Sequence, residues 1–242
     1  MGAEYVYAQS GNAGPVVVFE SGLGDGKESW APVFATTGEF ARVLAYDRAG
    51  YGGSASSAPI RDGETIVEEL RALLSSLELA PPYLLVGHSI GGHFVELFAR
   101  RYPSEVAGVV FVDARHAEFS ARCIREEAER CDVPLLAKLL MPAAAKAELA
   151  ASPTTEASLR DAPAFPAVPV QVITAARRPQ NMPNLRRAWA EAQADLARLS
   201  PLATQTICEE CGHYVHRDRP DLVVNAIRSI IEELDRATLG DE

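Results

Sequence analysis

In the stretch Tyr83-Leu84-Leu85-Val86-Gly87-His88-Ser89-Ile90-Gly91-Gly92, a serine follows an apolar run and lies between two glycines. A buried strand that turns sharply into a helix leaves the residue at the turn exposed at the carboxyl edge of a sheet, which is the layout of a nucleophile elbow. Glycines suit so tight a turn because they carry no Cβ that could clash across it. A helical segment follows at residues 92–100, so we predict that Ser89 is a nucleophile.

The rest of the chain alternates short β-rich runs with amphipathic helical segments. This alternation predicts an α/β fold with a mostly parallel central sheet flanked by helices, in a single domain over residues 1–242. Nearly continuous apolar runs are typical of strands buried on both faces. The predicted strands lie at residues 16–19, 42–46, 83–86, 109–112, 170–173 and 204–207.

The alternation is interrupted between residues 114 and 166. Two helical segments, at about residues 117–130 and 134–150, are followed here by a stretch rich in Pro, Ser and Thr. An insertion after a strand would lie over the carboxyl end of the sheet, where open α/β sheets bind ligands, so we predict a small helical cap. Its apolar side chains are candidates to line an acyl pocket, with packing onto the core as the alternative; they are Leu135, Leu136, Leu139, Leu140 and Met141, of which Leu136 and Leu140 are singled out. His116, where the cap begins, could contact substrate or be an ordinary surface histidine.

A nucleophilic serine needs a base to remove its proton, and the base needs a third group to orient it. His213 is the candidate base because it directly follows the last predicted strand, which brings its loop to the same sheet edge as the elbow. The other histidines near these motifs have weaker positions. His88 and His93 flank the nucleophile along the chain and are expected to pack, and His216 lies a turn beyond His213.

Asp113 is the candidate for the third group. It directly follows the run 109–112, which we expect to form the strand next to the elbow strand. The run 170–173 leads instead into Thr174-Ala175-Ala176-Arg177-Arg178-Pro179, which contains no carboxylate. The alternative is that Asp113 only caps the helix that follows, with Asp195 or Glu209 as weaker substitutes.

Acyl transfer also requires N–H donors aimed at the developing oxyanion. We expect one donor from the backbone of Ile90 and a second from Leu23, in the glycine-rich loop 20–26 after the first predicted strand. This loop has neither a Walker lysine nor a G-x-G-x-x-G pattern, which argues against a nucleotide site. No metal or cofactor is expected.

The charge balance restricts the class of partner. The 242 residues include 23 Lys and Arg against 33 Asp and Glu, and the formal net charge of -10 disfavours nucleic acid and anionic membrane surfaces. A small neutral or apolar substrate is expected, and the oligomeric state is left open. No apolar run reaches the roughly 18 residues of a membrane helix, and the first residues lack a signal-peptide pattern, so we expect a cytoplasmic protein unless a leader was removed.

Four cysteines are too few for a disulfide scaffold in a chain of this length. If residues 121–130 form a continuous helix, Cys123 and Cys131 lie roughly 12 Å apart, too far for a disulfide. Cys208 and Cys211 end a strand-like run, whereas thioredoxin-like redox motifs open a helix. Reduced, structural cysteines are therefore expected, with a local disulfide or a zinc site that uses all four as alternatives.

The motifs occur in an order that resembles the α/β-hydrolase superfamily, from about residue 16 to residue 234. Besides the elbow they are Glu20-Ser21-Gly22-Leu23-Gly24, Asp47-Arg48-Ala49-Gly50-Tyr51-Gly52 with Ser54, Val112-Asp113-Ala114 and Gly212-His213. The resemblance implies an eight-stranded or slightly shortened sheet, a Ser-Asp-His triad and ester hydrolysis without a cofactor. The chain departs from the family in the missing carboxylate after the seventh strand, and its amino terminus is short enough to lack the first strand. We expect Glu20 to be a charge partner of Arg48 at the sheet edge.

The leading hypothesis is a serine hydrolase that cleaves carboxylic esters through an acyl-enzyme. An acid after the sixth strand also resembles some haloalkane dehalogenases, but those have an aspartate nucleophile, so Ser89 favours esters. The alternative from another class is a small-molecule receptor with slow or no turnover, because fold does not fix function. Within enzymes, a lactone, a thioester or a carbon–carbon bond stay open as substrates.

Overall fold

The computed structural model describes residues 4–55, 60–129, 131 and 133–240, and a seven-stranded sheet forms the centre of this part of the chain. In chain order the strands are β1 (Tyr7–Ser10), β2 (Val16–Glu20), β3 (Arg42–Tyr46), β4 (Tyr83–His88), β5 (Val106–Val112), β6 (Val170–Ala175) and β7 (Ala203–Cys208). The helices are α1 (Ala31–Gly38), α2 (Gly63–Ser76), α3 (Gly91–Arg101), α4 (Phe119–Arg125), α5 (Leu135–Leu140), α6 (Ala143–Asp161), α7 (Pro183–Leu196), α8 (Val215–Asp218) and α9 (Pro220–Gly240). Short 3₁₀ turns lie at Lys27–Trp30 and Pro103–Glu105.

The strands lie in the order β1-β3-β2-β4-β5-β6-β7, and each neighbouring pair is parallel except β1 with β3. The α/β fold with a mostly parallel sheet is therefore confirmed, and each of the six predicted strands is present. The sequence does not predict β1, whose residues alternate between exposed and half-buried without an apolar run. It pairs at the edge of the sheet, where Tyr7 lies opposite Tyr46.

Both faces of the sheet are covered by helices, which explains the continuous apolar runs. In β2, Val18 packs with Leu70 and Leu97 on one face, whereas Phe19 packs with Ile227 on the other. Full burial of one such side chain stabilises the fold by roughly 1.5–3 kcal/mol. Because the strands are parallel, the carboxyl ends of β2, β4, β5 and β7 lie at one edge of the sheet. In the described ranges, no helix is both long and apolar enough to cross a membrane.

The segment between β5 and β6 contains α4, α5 and α6, and α6 is longer than predicted. It continues through the Ser-Pro-Thr-Thr stretch to Asp161, with Pro153 inside the helix. Tertiary contacts outweigh this local preference, because the buried Thr155 hydroxyl accepts the N–H of Gly63 at 2.8 Å. By contrast, the helix predicted at residues 117–130 is shorter than expected, because α4 ends at Arg125. Arg130 lies outside the described residues.

The cysteines form two disulfides, Cys123–Cys131 and Cys208–Cys211, so the expectation of reduced cysteines is wrong. The chain reverses after α4, where Ala128 donates its N–H to the carbonyl of Cys123. This reversal brings the Cα atoms of Cys123 and Cys131 to 5.5 Å, whereas a continuous helix would hold them roughly 12 Å apart.

Candidate active site

Ser89 occupies a sharp turn between β4 and α3. Its φ of 54° lies in the left-handed region, which residues other than glycine rarely adopt. Neighbouring chain segments hold this conformation, since the Ser89 carbonyl accepts the N–H of Arg115 at 2.8 Å. The glycine at position 91 is required by close approach, because a Cβ there would lie 2.4 Å from the carbonyl oxygen of Glu20. The hydroxyl is therefore presented at the carboxyl edge of the sheet.

The structure brings Ser89, His213 and Asp113 together. His213 follows β7, and its Nε2 lies 3.0 Å from the Ser89 Oγ. Its Nδ1 lies 2.6 Å from Oδ2 of Asp113, which follows β5 and is completely buried. A histidine bonded in this way on both sides can accept the serine proton at Nε2 while Nδ1–H donates to the carboxylate.

The Asp113 carboxylate is held by further donors. Its Oδ1 accepts the Ala175 N–H at 3.1 Å and the Trp189 indole N–H at 2.9 Å, and Arg178 donates to its Oδ2. Burial alone would raise the pKa of Asp113, but the His213 hydrogen bond and the Arg178 charge outweigh it and hold that pKa below its ordinary value. The carboxylate is therefore ionised at neutral pH.

Sequence reasoning missed Arg178 and Trp189. The signal for Arg178 was the absence of a carboxylate after β6, where the chain instead supplies a cation that pairs with Asp113. Trp189 lies on α7, and the sequence alone gives no reason to direct its indole to the end of β5. Asp195, the weaker alternative to Asp113 as the third group, instead forms ion pairs with Arg122 and Arg198 at the protein surface.

The two backbone donors lie beside the serine. Within the described part of the chain, neither Leu23 nor Ile90 uses its N–H in a hydrogen bond to the protein. Both residues line the same cavity as Ser89, which has a volume of about 230 Å³. Two N–H groups without protein acceptors beside a nucleophile can bind an oxygen on which negative charge develops. The cavity is lined by Gly22, Leu23, Asp25, His88, Ser89, Ile90, Arg115, Val133, Met141, Leu149, His213 and Tyr214.

The residues between β5 and β6 that line this cavity differ in part from the prediction. Leu136 and Leu140 are 71% and 79% exposed and lie away from it. Met141 of the predicted apolar cluster does line the cavity, together with Leu149, which was not predicted. The side chain of His116 accepts the N–H of Glu118 at 3.1 Å, at the start of α4. Helical periodicity could not identify Leu149, because the predicted helix 134–150 is interrupted between α5 and α6.

The other histidines of the site region are buried. His88 donates Nε2–H to the carbonyl of His213 at 2.9 Å, which supports the loop that carries this residue. Burial, more than the neighbouring charges, lowers the pKa of His88 well below its ordinary value. Burial also lowers the pKa of His93 and of His216 to about 3. All three side chains are therefore neutral at pH 7.

The chain matches the alpha/beta hydrolase family over residues 17–226. It belongs to this family. Among curated proteins, YqjL of Bacillus subtilis (strain 168) is 27% identical over 223 residues, which is 92% of this chain and 85% of YqjL. Among solved structures, this hydrolase is similar to a thermophilic esterase from Thermogutta terrifontis, with a TM-score of 0.66, 20% identity and coverage of 96% and 94% of the two chains. It is also similar to the enol-lactonase from Burkholderia xenovorans LB400, with a TM-score of 0.63, 19% identity and coverage of 95% and 97%.

A buried ion pair lies beside the glycine-rich loop at residues 20–26 of this hydrolase. Arg48 donates to Glu20 at 2.7 Å, so the predicted pairing of these two residues is confirmed. Burial by itself would lower the pKa of Arg48, but the carboxylates of Glu148 and Glu20 outweigh it and hold that pKa well above its ordinary value. Glu148 belongs to α6, so the cluster joins the segment between β5 and β6 to the sheet.

Proposed function

We propose that this protein is a serine hydrolase that cleaves carboxylic esters. Ser89 is the nucleophile, His213 the general base and Asp113 the group that orients His213. The single observation that carries the proposal is the hydrogen-bonded chain Ser89 Oγ, His213 Nε2 and Nδ1, and Asp113 Oδ2, at 3.0 and 2.6 Å. The ionised state of Asp113 supports it further, because a carboxylate there stabilises the imidazolium that forms during the reaction.

The reaction proceeds in two halves. His213 Nε2 takes the proton of Ser89 as Oγ attacks the ester carbonyl, and the N–H groups of Leu23 and Ile90 stabilise the oxyanion. His213 then gives the proton to the departing alkoxide, which leaves an acyl-enzyme on Ser89. A water molecule, deprotonated by the same histidine, attacks this acyl group and releases the acid and the free serine.

The cavity supports a small neutral or apolar ester as substrate. Its volume of about 230 Å³ is below the roughly 300–1,000 Å³ that is typical for drug-sized ligands. Val133, Met141 and Leu149 give it apolar walls from the segment between β5 and β6, which we propose acts as a cap. Short acyl chains therefore fit best.

The test compares the wild type with Ser89→Ala on short p-nitrophenyl esters and with a fluorophosphonate probe. We expect Ser89→Ala to lose the probe label and at least about 1000-fold in kcat. The matched control is Ser76→Ala, whose hydroxyl bonds the carbonyl of Leu73 on α2. Unchanged turnover in Ser89→Ala would contradict the proposal.

A wider panel of esters, lactones and thioesters then ranks the substrate classes by kcat/KM. Esters are expected to give the highest values. Tight binding of a small ligand with negligible turnover over the whole panel would instead favour a receptor.

A further inference from the structure

Arg48 uses its whole guanidinium group to join two elements. They are α6 and the loop at residues 20–26, which we call the oxyanion loop because it carries the proposed donor Leu23. The side chain is 2% exposed, and each of its five N–H bonds has an acceptor. Two of them go to the carbonyl oxygens of Ser21 and Gly22, at 2.7 and 2.9 Å. A third goes to Glu20 at 2.7 Å, and the remaining two go to the carboxylate of Glu148, both at 2.9 Å.

This arrangement fixes the peptide unit between Gly22 and Leu23. In a trans peptide the C=O and the following N–H point in opposite directions. Because the Gly22 carbonyl points to Arg48, the Leu23 N–H points to the other side of the loop. Leu23 lines the cavity of Ser89, and its N–H has no protein acceptor within the described residues.

We propose that Arg48 is a positioning residue for the oxyanion donor at Leu23, and that Glu148 of α6 holds Arg48 in place. The proposal rests on the serine hydrolase function proposed above. Two carbonyls in succession bonded to one guanidinium leave the peptide little freedom to rotate. A lysine has only three donors on one nitrogen, so it cannot bond Ser21, Gly22, Glu20 and Glu148 at once.

Tyr51 provides a second connection between the same elements. Its hydroxyl donates to Glu148 at 2.6 Å and accepts the N–H of Gly24 at 3.4 Å. The oxyanion loop is thus attached to Glu148 both through Arg48 and through Tyr51. The substitution Tyr51→Phe removes one hydroxyl without leaving a buried charge unpaired. It is therefore a milder perturbation of the connection between the oxyanion loop and Glu148.

The experiment measures kcat and KM for a p-nitrophenyl ester in Arg48→Lys, Tyr51→Phe and a control, Arg61→Lys. Arg61 is equally buried and also lies near Glu148, with its Nη2 3.8 Å from that carboxylate, but its hydrogen bond goes to Glu69 at 2.7 Å and it does not bond the loop. We expect Arg48→Lys to lower kcat by about 10- to 100-fold, the range for a misplaced catalytic group, with KM changed less than about twofold. Tyr51→Phe should show a smaller loss of the same kind, and Arg61→Lys should keep its kcat.

The proposal is overturned if Arg48→Lys and Tyr51→Phe both keep kcat within twofold, or if Arg61→Lys loses as much kcat as Arg48→Lys. Should Arg48→Lys fail to fold, as judged by near-UV circular dichroism, Tyr51→Phe decides. A crystal structure of Arg48→Lys gives a readout that needs no turnover: a rotated Gly22–Leu23 peptide supports the proposal and an unmoved one overturns it. A wild type that hydrolyses no ester overturns the proposed function, and this crystal structure still decides the role of Arg48.

Discussion

Four donors converge on the carboxylate of Asp113, although it is completely buried. The backbone N–H of Ala175 and the indole of Trp189 bond Oδ1, while Arg178 and His213 bond Oδ2. A buried carboxylate is strongly destabilising unless it is paired and hydrogen-bonded, and here both requirements are met. The arrangement also selects the histidine tautomer with a proton on Nδ1, which leaves Nε2 free to accept the proton of Ser89.

The first prediction concerns the tautomer of His213. In Asp113→Asn the new amide cannot accept at every position where a carboxylate oxygen did, and the tautomer with a proton on Nε2 becomes favoured. We expect kcat to fall by about 10⁴-fold for p-nitrophenyl ester hydrolysis, while circular dichroism shows a retained fold. The control Asp195→Asn alters an acid of α7 that pairs with Arg122 and Arg198, and its kcat should stay within twofold. A near-normal rate in Asp113→Asn would assign the orienting role to another group.

In helix α6, tertiary contacts prevail over the local sequence preference. The helix carries an exposed proline at position 153, where the ring removes a hydrogen bond to the preceding turn. It persists because Glu148 and Thr155, on either side of the proline, are buried and bonded to Arg48 and Gly63. Through Arg48, Glu148 also joins α6 to the loop at residues 20–26.

The second prediction is that Pro153→Ala stabilises the protein. Alanine restores the missing N–H in the middle of α6, so the free energy of unfolding should rise by about 1–3 kcal/mol. Urea denaturation measures this change. The matched control is Pro183→Ala at the first turn of α7, where proline is well tolerated and its replacement should not stabilise. Equal effects of the two substitutions would contradict the argument.

The features of the fold and the site that the sequence predicts are those encoded by short stretches of the chain. Buried parallel strands appear as apolar runs in the sequence. Because their carboxyl ends share one edge of the sheet, the sequence also predicts that Ser89, Asp113 and His213 lie in one region. What could not be predicted depends on distant packing. The contribution of Leu149 to the cavity depends on how α6 leaves α5, and Cys131 reaches its partner only because the chain reverses after α4.

The third prediction concerns the pH dependence of stability. His93 and His216 have pKa values near 3 in the folded protein because they are buried, against about 6.5 when unfolded. Between these values the unfolded chain binds more protons, so stability is fully present above pH 6.5 and falls as the pH drops towards 3. From pH 7 to pH 5, each histidine should cost about 2 kcal/mol of unfolding free energy.

The substitution His93→Gln isolates one of these contributions, because glutamine keeps a polar amide in the buried site but does not titrate. Its stability at pH 7 is expected to differ from the wild type, but the loss between pH 7 and pH 5 should shrink by about 2 kcal/mol. Urea denaturation at both pH values measures that loss. Glu20, whose pKa is raised mainly by burial, contributes with the opposite sign above its ordinary pKa of 4.5, but this contribution is shared by His93→Gln and the wild type, so the difference between the two proteins reports on His93. An identical pH dependence in His93→Gln and the wild type would show that His93 is not held neutral by burial.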